Sequence, residues 1–357
     1  MSTVDWEIAM PFGSVVVPKH PRRTAKSSGV TVDVSRETGE SEQESNDDSA
    51  VKSFPPELGE LRDSLRLDPV DIIDPMQGAR CLAVANQKGG VAKTTTVVNL
   101  AAALTVLGCR VLVVDMDPQG NASSALGLSR DPDSMGTYEV LVSGAAIADA
   151  ATSVPGLPGL CAVPATVDLA GADIELVSQV ARETRLRKAL EIYLEEQSEV
   201  GDPVDFVLLD CPPSLGLLTV NALVAAGEVL IPLQSEYYAM EGLSHLVSTV
   251  DMIQQHLNPD LAITGILLTM FDGRTRIAPQ VAEEVRQHFS AELLETVVPR
   301  SVRLSEAPSY GQTVLQYDPT SVGARAYLAV ARELDRRARD RIDLTDKADS
   351  SVKTTEV

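Results

Sequence analysis

From Arg80 onward, short apolar runs alternate with longer stretches in which apolar residues recur at helical spacing. The runs CLAVAN (81–86), RVLVVD (110–115), FVLLD (206–210), EVLIPL (228–233) and AITGILLTM (262–270) are dense in valine, leucine and isoleucine. Continuous runs of this length suit strands covered on both faces rather than strands with one wet face. Helices are expected over 94–107, 168–196 (with a break), 215–226, 240–256 and 278–289, and a closing helix over 321–339. Strands alternating with helices predict an α/β fold, with a mostly parallel sheet flanked by helices and right-handed crossovers.

Both ends depart from this pattern. Residues 1–79 read as a largely disordered, acidic N-terminal extension. Its run SRETGESEQESNDDSA (35–50) holds too little apolar area to offset the entropy of ordering it. Within the extension, Leu58, Leu61, Leu65 and Leu67 recur at roughly helical spacing, so a short helix over 56–67 would suit a docking segment. The domain proper is expected over 80–340, and 341–357 reads as a polar tail.

Composition narrows the class. Of 357 residues 44% are apolar but only 4% aromatic, which suits helices packed on a buried sheet. No apolar run approaches the roughly 20 residues that span a bilayer, and the N-terminus lacks a basic-then-apolar leader, so a cytoplasmic protein without a membrane partner is expected. Cys81, Cys109, Cys161 and Cys211 form no CxxC pair, and the four histidines are scattered, so neither a disulfide framework nor a His/Cys metal cluster is expected. The formal net charge of −21 argues against a generally basic surface, though not against a local basic patch.

The chemistry concentrates in Asn86-Gln87-Lys88-Gly89-Gly90-Val91-Ala92-Lys93-Thr94-Thr95, which follows one strand and opens a helix. In that context glycines turn backbone N–H groups inward into an anion-binding nest, and the helix N-terminus adds partial positive charge. Lys93 would reach the β and γ phosphates of a nucleotide, and the Thr94 hydroxyl would ligate Mg²⁺. The common GxxxxGK[ST] pattern fails here at Gln87 and Ala92. What the segment does match is the deviant form KGGxxK[ST], with a second lysine, Lys88, near its start. At this point the chain resembles the ParA/MinD group of phosphate-loop ATPases, and within it the ParA (Soj-like) proteins. The resemblance implies a three-layer P-loop NTPase fold. It also implies that Lys88 crosses a dimer interface to the partner's phosphates, while Gly89, Gly90, Val91, Ala92, Lys93, Thr94 and Thr95 hold the subunit's own nucleotide. Ala92 replaces the usual glycine, which is costly if that position needs a positive φ and harmless otherwise.

Two carboxylate segments follow in the order this family has. Asp115-Met116-Asp117-Pro118-Gln119-Gly120-Asn121 resembles its D-x-D-P-Q-G-N switch segment, which implies that Asp117 orients the attacking water near Mg²⁺ and that Asp115 supports the strand end. Asp205-Phe206-Val207-Leu208-Leu209-Asp210-Cys211-Pro212-Pro213 puts Asp210 at a strand end as the metal-side carboxylate. The segment around Met270 and the pair Pro299-Arg300 are implied on the base side of the nucleotide, and RLSEAPSYG (303–311) is a specific family signature. The resemblance spans about residues 80–334. It implies slow ATP hydrolysis with Mg²⁺, an ATP-dependent homodimer, non-specific DNA binding, and stimulation by a ParB-type centromere-binding protein, all at the nucleoid. Arg274, Arg276, Arg300, Arg303 and Arg325 are the candidate DNA contacts. The alternative is a ParA-like regulator or protein-positioning scaffold for which ATP is mainly a conformational ligand.

Overall fold

A computed structural model describes residues 54–353 except 69–70, 75, 77, 132–133 and 238; side chains of 343–353 are outside it as well. The strands are β1 (Arg80–Val84), β2 (Val111–Asp115), β3 (Thr152–Ser153), β4 (Leu160–Val163), β5 (Phe206–Asp210), β6 (Glu228–Gln234) and β7 (Ala262–Thr269). They form one sheet in the order β3-β4-β2-β5-β1-β6-β7, parallel except where β3 pairs with β4. The five strands expected from the apolar runs are present. The edge pair β3 and β4 was not expected: β3 is two exposed residues, and β4 is four residues framed by Pro155, Pro158 and Gly159, too short to register as a run.

The alternation of side chains across the sheet makes the three layers. Val207 and Leu209 of β5 join Leu112 and Val114 of β2 in one buried cluster. Their neighbours Phe206, Leu208, Val111 and Val113 face the opposite cluster. The first face is covered by helices Arg185–Glu199, Leu217–Ala225, Ala239–His256 and Ile277–His288, the second by Lys93–Val106 and the C-terminal helix. The break expected in 168–196 is real: a helix Leu169–Glu175 and a short 3₁₀ turn precede a separate helix Arg185–Glu199.

The short helix expected over 56–67 is present as Pro56–Ser64, and the expectation about the C-terminal end needs correcting. Residues 1–53 of the extension lie outside the described residues, but part of 54–79 is ordered against the domain. Helix Pro56–Ser64 buries Leu58, and the Arg62 guanidinium donates to the Val106 carbonyl at the C-terminus of helix Lys93–Val106. Arg62 also stacks over Phe54, Ile73 N–H donates to the Leu107 carbonyl at 2.9 Å, and Asp71 pairs with Arg332 at 2.8 Å. A cation at a helix C-terminus opposes the negative end of its dipole. At the other end, the closing helix runs Val322–Lys353 and so takes in the described part of the polar tail expected over 341–357; residues 354–357 lie outside the described residues. Polar composition does not by itself forbid a helix, and 341–353 holds no glycine or proline to break one. Among the described residues no helix is long and apolar enough to cross a membrane.

Candidate nucleotide site

Strand register gathers the chemistry at one edge. Val84 of β1 and Asp115 of β2 are both Cα partners of Asp210 on β5, so three strands end side by side. The loops that follow emerge together at the carboxyl edge of the sheet, where open α/β folds bind ligands. There they line a cleft of about 640 Å³ with Gly89, Gly90, Ala92, Lys93, Thr94, Thr95, Asp117, Gln119, Asn121, Pro213 and Met270 among its walls. It adjoins a pocket of about 260 Å³ that shares Ala92, Thr95 and Met270 and adds Pro299, Arg300, Leu304 and Tyr327.

The loop itself is held from behind. Asn86 donates to the Pro232 carbonyl at 2.8 Å and accepts from Lys88 N–H at 3.0 Å, and the Thr269 hydroxyl at the end of β7 donates to the Val91 carbonyl at 3.0 Å. Gly90 has φ +76°, a conformation that only glycine adopts without strain, and a Cβ on Gly89 or Gly90 would meet open space. That space is what an oxyanion would occupy. Ala92 has φ 68° and ψ 34°, which answers the question its methyl raised: the position is left-handed and strained. Among the described residues four non-glycine residues have positive φ, and two of them, Ala92 and Met270, line this cleft. Strain concentrated this way is a feature of functional sites. Replacing Ala92 by Gly is expected to stabilise the nucleotide-free protein by about 0.5–1 kcal/mol, a rise of roughly 1–4 °C in unfolding midpoint. A midpoint that stays put or falls would mean the strain is relieved in another way.

The two lysines of the loop have opposite settings. Lys93 is 7% exposed, and its Nζ donates to the Lys88 carbonyl at 3.1 Å. Burial lowers its pKa, and the carboxylates of Asp210 and Asp117 act in the other direction. Lys88 is at the mouth of the site, its side chain 38% exposed and paired with Glu236 at 2.6 Å.

Asp210 is fully buried, and neither carboxylate oxygen has a full hydrogen-bond partner. Burial, and then the charge of Asp115, pushes its pKa well above the usual carboxylate range; the Thr94 hydroxyl and Lys93 favour the ionised form. Two bare carboxylate oxygens beside a threonine hydroxyl are hard donors of the kind Mg²⁺ prefers, so Asp210 and Thr94 fit that ion. Among the described residues no three His, Cys, Asp or Glu form a metal cage; Mg²⁺ bound with phosphate oxygens and water needs none. Asp115 differs from Asp210 in being satisfied: it accepts from Ser123 N–H (2.8 Å), Ser123 Oγ (2.6 Å) and Asp117 N–H (3.2 Å). Burial still raises its pKa. Asp117 is 8% exposed, and its Oδ1 accepts from Gln119 N–H at 3.0 Å.

Every residue assigned to the nucleotide from sequence is at or beside this cleft, with Lys88 at its rim, Asp210 beneath it, and Val91 buried within the loop. Thr269, Pro308 and Ser309 were named only within family-like segments, the one around Met270 and the RLSEAPSYG run, with no individual role, whereas Tyr327 arrives through tertiary packing alone. The five candidate DNA arginines are exposed. Arg300 N–H donates to the Phe271 carbonyl, next to the loop carrying Arg274 and Arg276, and Leu304 beside Arg303 packs on Gly323, two residues before Arg325. Arg274 is paired with Asp272 at 2.8 Å, and Arg303 with Glu306 at 3.0 Å and Asp318 at 3.2 Å.

The AAA domain family matches residues 79–263. Sporulation initiation inhibitor protein Soj of Bacillus subtilis (strain 168) is 52% identical over 257 residues, 71% of this chain and 98% of that protein. Chromosome partitioning protein ParA of Myxococcus xanthus (strain DK1622) is 53% identical over 258 residues, 72% of this chain and 88% of that protein. A solved structure of cobyrinic acid a,c-diamide synthase from Mycobacterium smegmatis with bound ADP and magnesium superposes with TM-score 0.63 at 38% identity, covering 73% of this chain and 96% of that one. With the deviant loop, the two strand-end carboxylates and the sheet order in place, the chain belongs to the ParA/Soj family of chromosome-partitioning ATPases.

Proposed function

We propose that this chain is an ATP-hydrolysing partition protein whose Mg–ATP form is a sandwich dimer that binds DNA without sequence preference. A DNA-bound partner of the ParB type would speed hydrolysis and release it at the nucleoid. The observation that carries this reading is the opposite setting of the two loop lysines. Lys93 points into its own cleft and is shielded from water, so its charge acts on the subunit's own β and γ phosphates. Lys88 sits at the mouth, held by one half-exposed carboxylate. Exposed pairs contribute about 0–1 kcal/mol, so Glu236 is readily exchanged for a more highly charged partner such as the second subunit's triphosphate.

In this reading Thr94 and Asp210 would hold Mg²⁺, which would supply charge neutralisation at the phosphates. Asp117 orients water toward the γ-phosphate and passes its proton away. Met270, Pro299 and Arg300 enclose the base. Loss of the γ-phosphate removes what Lys88 reaches for, and the dimer parts. Arg274, Arg276, Arg300, Arg303 and Arg325 would meet the DNA backbone, with dimerisation doubling a patch that is weak alone. Lys88→Ala is the sharpest test. Light scattering on the full chain with Mg–ATP and hydrolysis slowed should give a dimer for the wild type and a monomer for the variant, with ATP binding retained within about threefold. Equal dimerisation of the two proteins would refute the clamp and favour ATP as a conformational ligand of a scaffold.

A further inference from the structure

Arg130 belongs to none of the motifs of the nucleotide site and does not line the cleft. Its guanidinium nevertheless bridges two elements that meet there. Nη2 donates to the Pro118 carbonyl at 3.0 Å, inside the turn that carries Asp117, and Nε donates to the Ala165 carbonyl at 3.0 Å, just past β4. Between the two bonds it lies against Gly120, where a Cβ would fall 2.1–2.6 Å from Nε, Cζ and Nη2. Glycine is needed there for a second reason: Gly120 has φ 63° and ψ 33° and starts the short helix Asn121–Ala125.

These contacts close a circuit. Asp115 accepts from the Ser123 hydroxyl, which in turn accepts from Ala165 N–H at 2.9 Å. The Ala165 carbonyl accepts from Arg130, Arg130 donates back to Pro118, and Asp117 N–H returns to Asp115. The circuit therefore encloses the peptide of Asp117 and Pro118. Inside it, among the described residues, the remaining bonds of the turn are local: Gln119 N–H to the Asp117 carboxylate, Gly120 N–H to the Asp117 carbonyl at 2.8 Å, and Ser124 N–H and Oγ to the Gly120 carbonyl at 3.1 and 3.0 Å. Without Arg130, those local bonds could persist while the whole turn pivots on Gly120.

We propose that Arg130 is a positioning residue for hydrolysis: it clamps the 117–120 turn to the end of β4 and so fixes where the Asp117 carboxylate points. The proposal rests on the reading of Asp117 as the carboxylate that orients water. A small misplacement of a catalytic group lowers the chemical rate far more than it alters ground-state binding. Arg130 is not among the residues lining the cleft, so the effect should appear in kcat and spare ATP affinity.

The test is ATP turnover by the full chain with Mg–ATP, together with the Kd for a fluorescent ATP analogue, for Arg130→Ala, Arg130→Lys and Asp117→Ala. Arg130→Ala should lower kcat about tenfold with Kd within about twofold. Arg130→Lys keeps one charged donor without the flat fork, and should leave kcat about threefold below wild type, above that of Arg130→Ala, with Kd unchanged. Unaltered kcat in Arg130→Ala overturns the proposal, as does a loss shared equally by kcat and ATP affinity, which would indicate only a structural role. Should Arg130→Ala fail to fold, Arg130→Lys decides: lowered kcat with unchanged Kd supports the clamp, and wild-type kinetics overturn it. Wild-type turnover by Asp117→Ala would remove the hydrolytic reading of Asp117 and this proposal with it. An inactive Asp117→Ala beside an unaltered Arg130→Ala would remove this proposal alone.

Discussion

Lys93→Ala should fold and yet lose Mg–ATP. Lys93 is the only lysine within the cleft's described lining, and its ammonium is already stripped of most water before nucleotide arrives. Its Nζ donates to the neutral Lys88 carbonyl, so the donor is held in place without being committed to a strong acceptor. A charge-assisted contact to phosphate in such a setting is worth roughly 3 kcal/mol, so binding should weaken by about two orders of magnitude. The fold should survive, because the buried side chain carries an unfavourable desolvation that lowers its pKa and that the variant removes. Calorimetric ATP titration beside circular dichroism separates the two outcomes. Binding within about fivefold of wild type would show that the γ-phosphate is held by some other group.

Arg80→Ala should produce the largest loss of stability. Arg80 begins β1 and is 8% exposed, with a forked pair to Glu228 of β6 at 2.7 and 2.8 Å. A third donor reaches the Leu334 carbonyl at 3.2 Å, and the guanidinium stacks over Phe206, 5.0 Å from its centroid. One side chain thus joins three strands to the C-terminal helix. Removing it strands the Glu228 carboxylate in a mostly buried place, and breaking such a pair costs about 3–5 kcal/mol. For a domain this size that is about 10 °C in unfolding midpoint. The double replacement Arg80→Met with Glu228→Met should recover much of it, since buried pairs exchanged for apolar residues are often neutral. A drop of less than about 1 kcal/mol for Arg80→Ala would mean that Glu228 relaxes into water.

The strands that carry the site were legible because they are buried on both faces, which writes them as unbroken apolar runs ending in Asp115 or Asp210. The phosphate loop was legible through Gly89, Gly90 and the two lysines, despite the missing glycine at position 92. What stayed hidden acts through space. The left-handed backbone at Ala92 cannot be read from an alanine. Arg130 and Thr269 each bond to backbone carbonyls far off in sequence, and no local pattern signals such a bond. The ordering of 56–64 depends on Arg62 and Leu58 finding the end of helix Lys93–Val106, a tertiary contact that leaves only a weak leucine periodicity behind.

The central claim is that ATP controls a DNA clamp, and binding of the full chain to duplex DNA with ATP, ADP or no nucleotide tests it most directly. The account predicts binding with ATP only. For about four phosphate contacts that binding should weaken roughly 100-fold between about 50 and about 200 mM salt, and it should vanish for Lys93→Ala. Binding of equal strength in all three nucleotide states, or none in any state while ATP itself is bound, would contradict it.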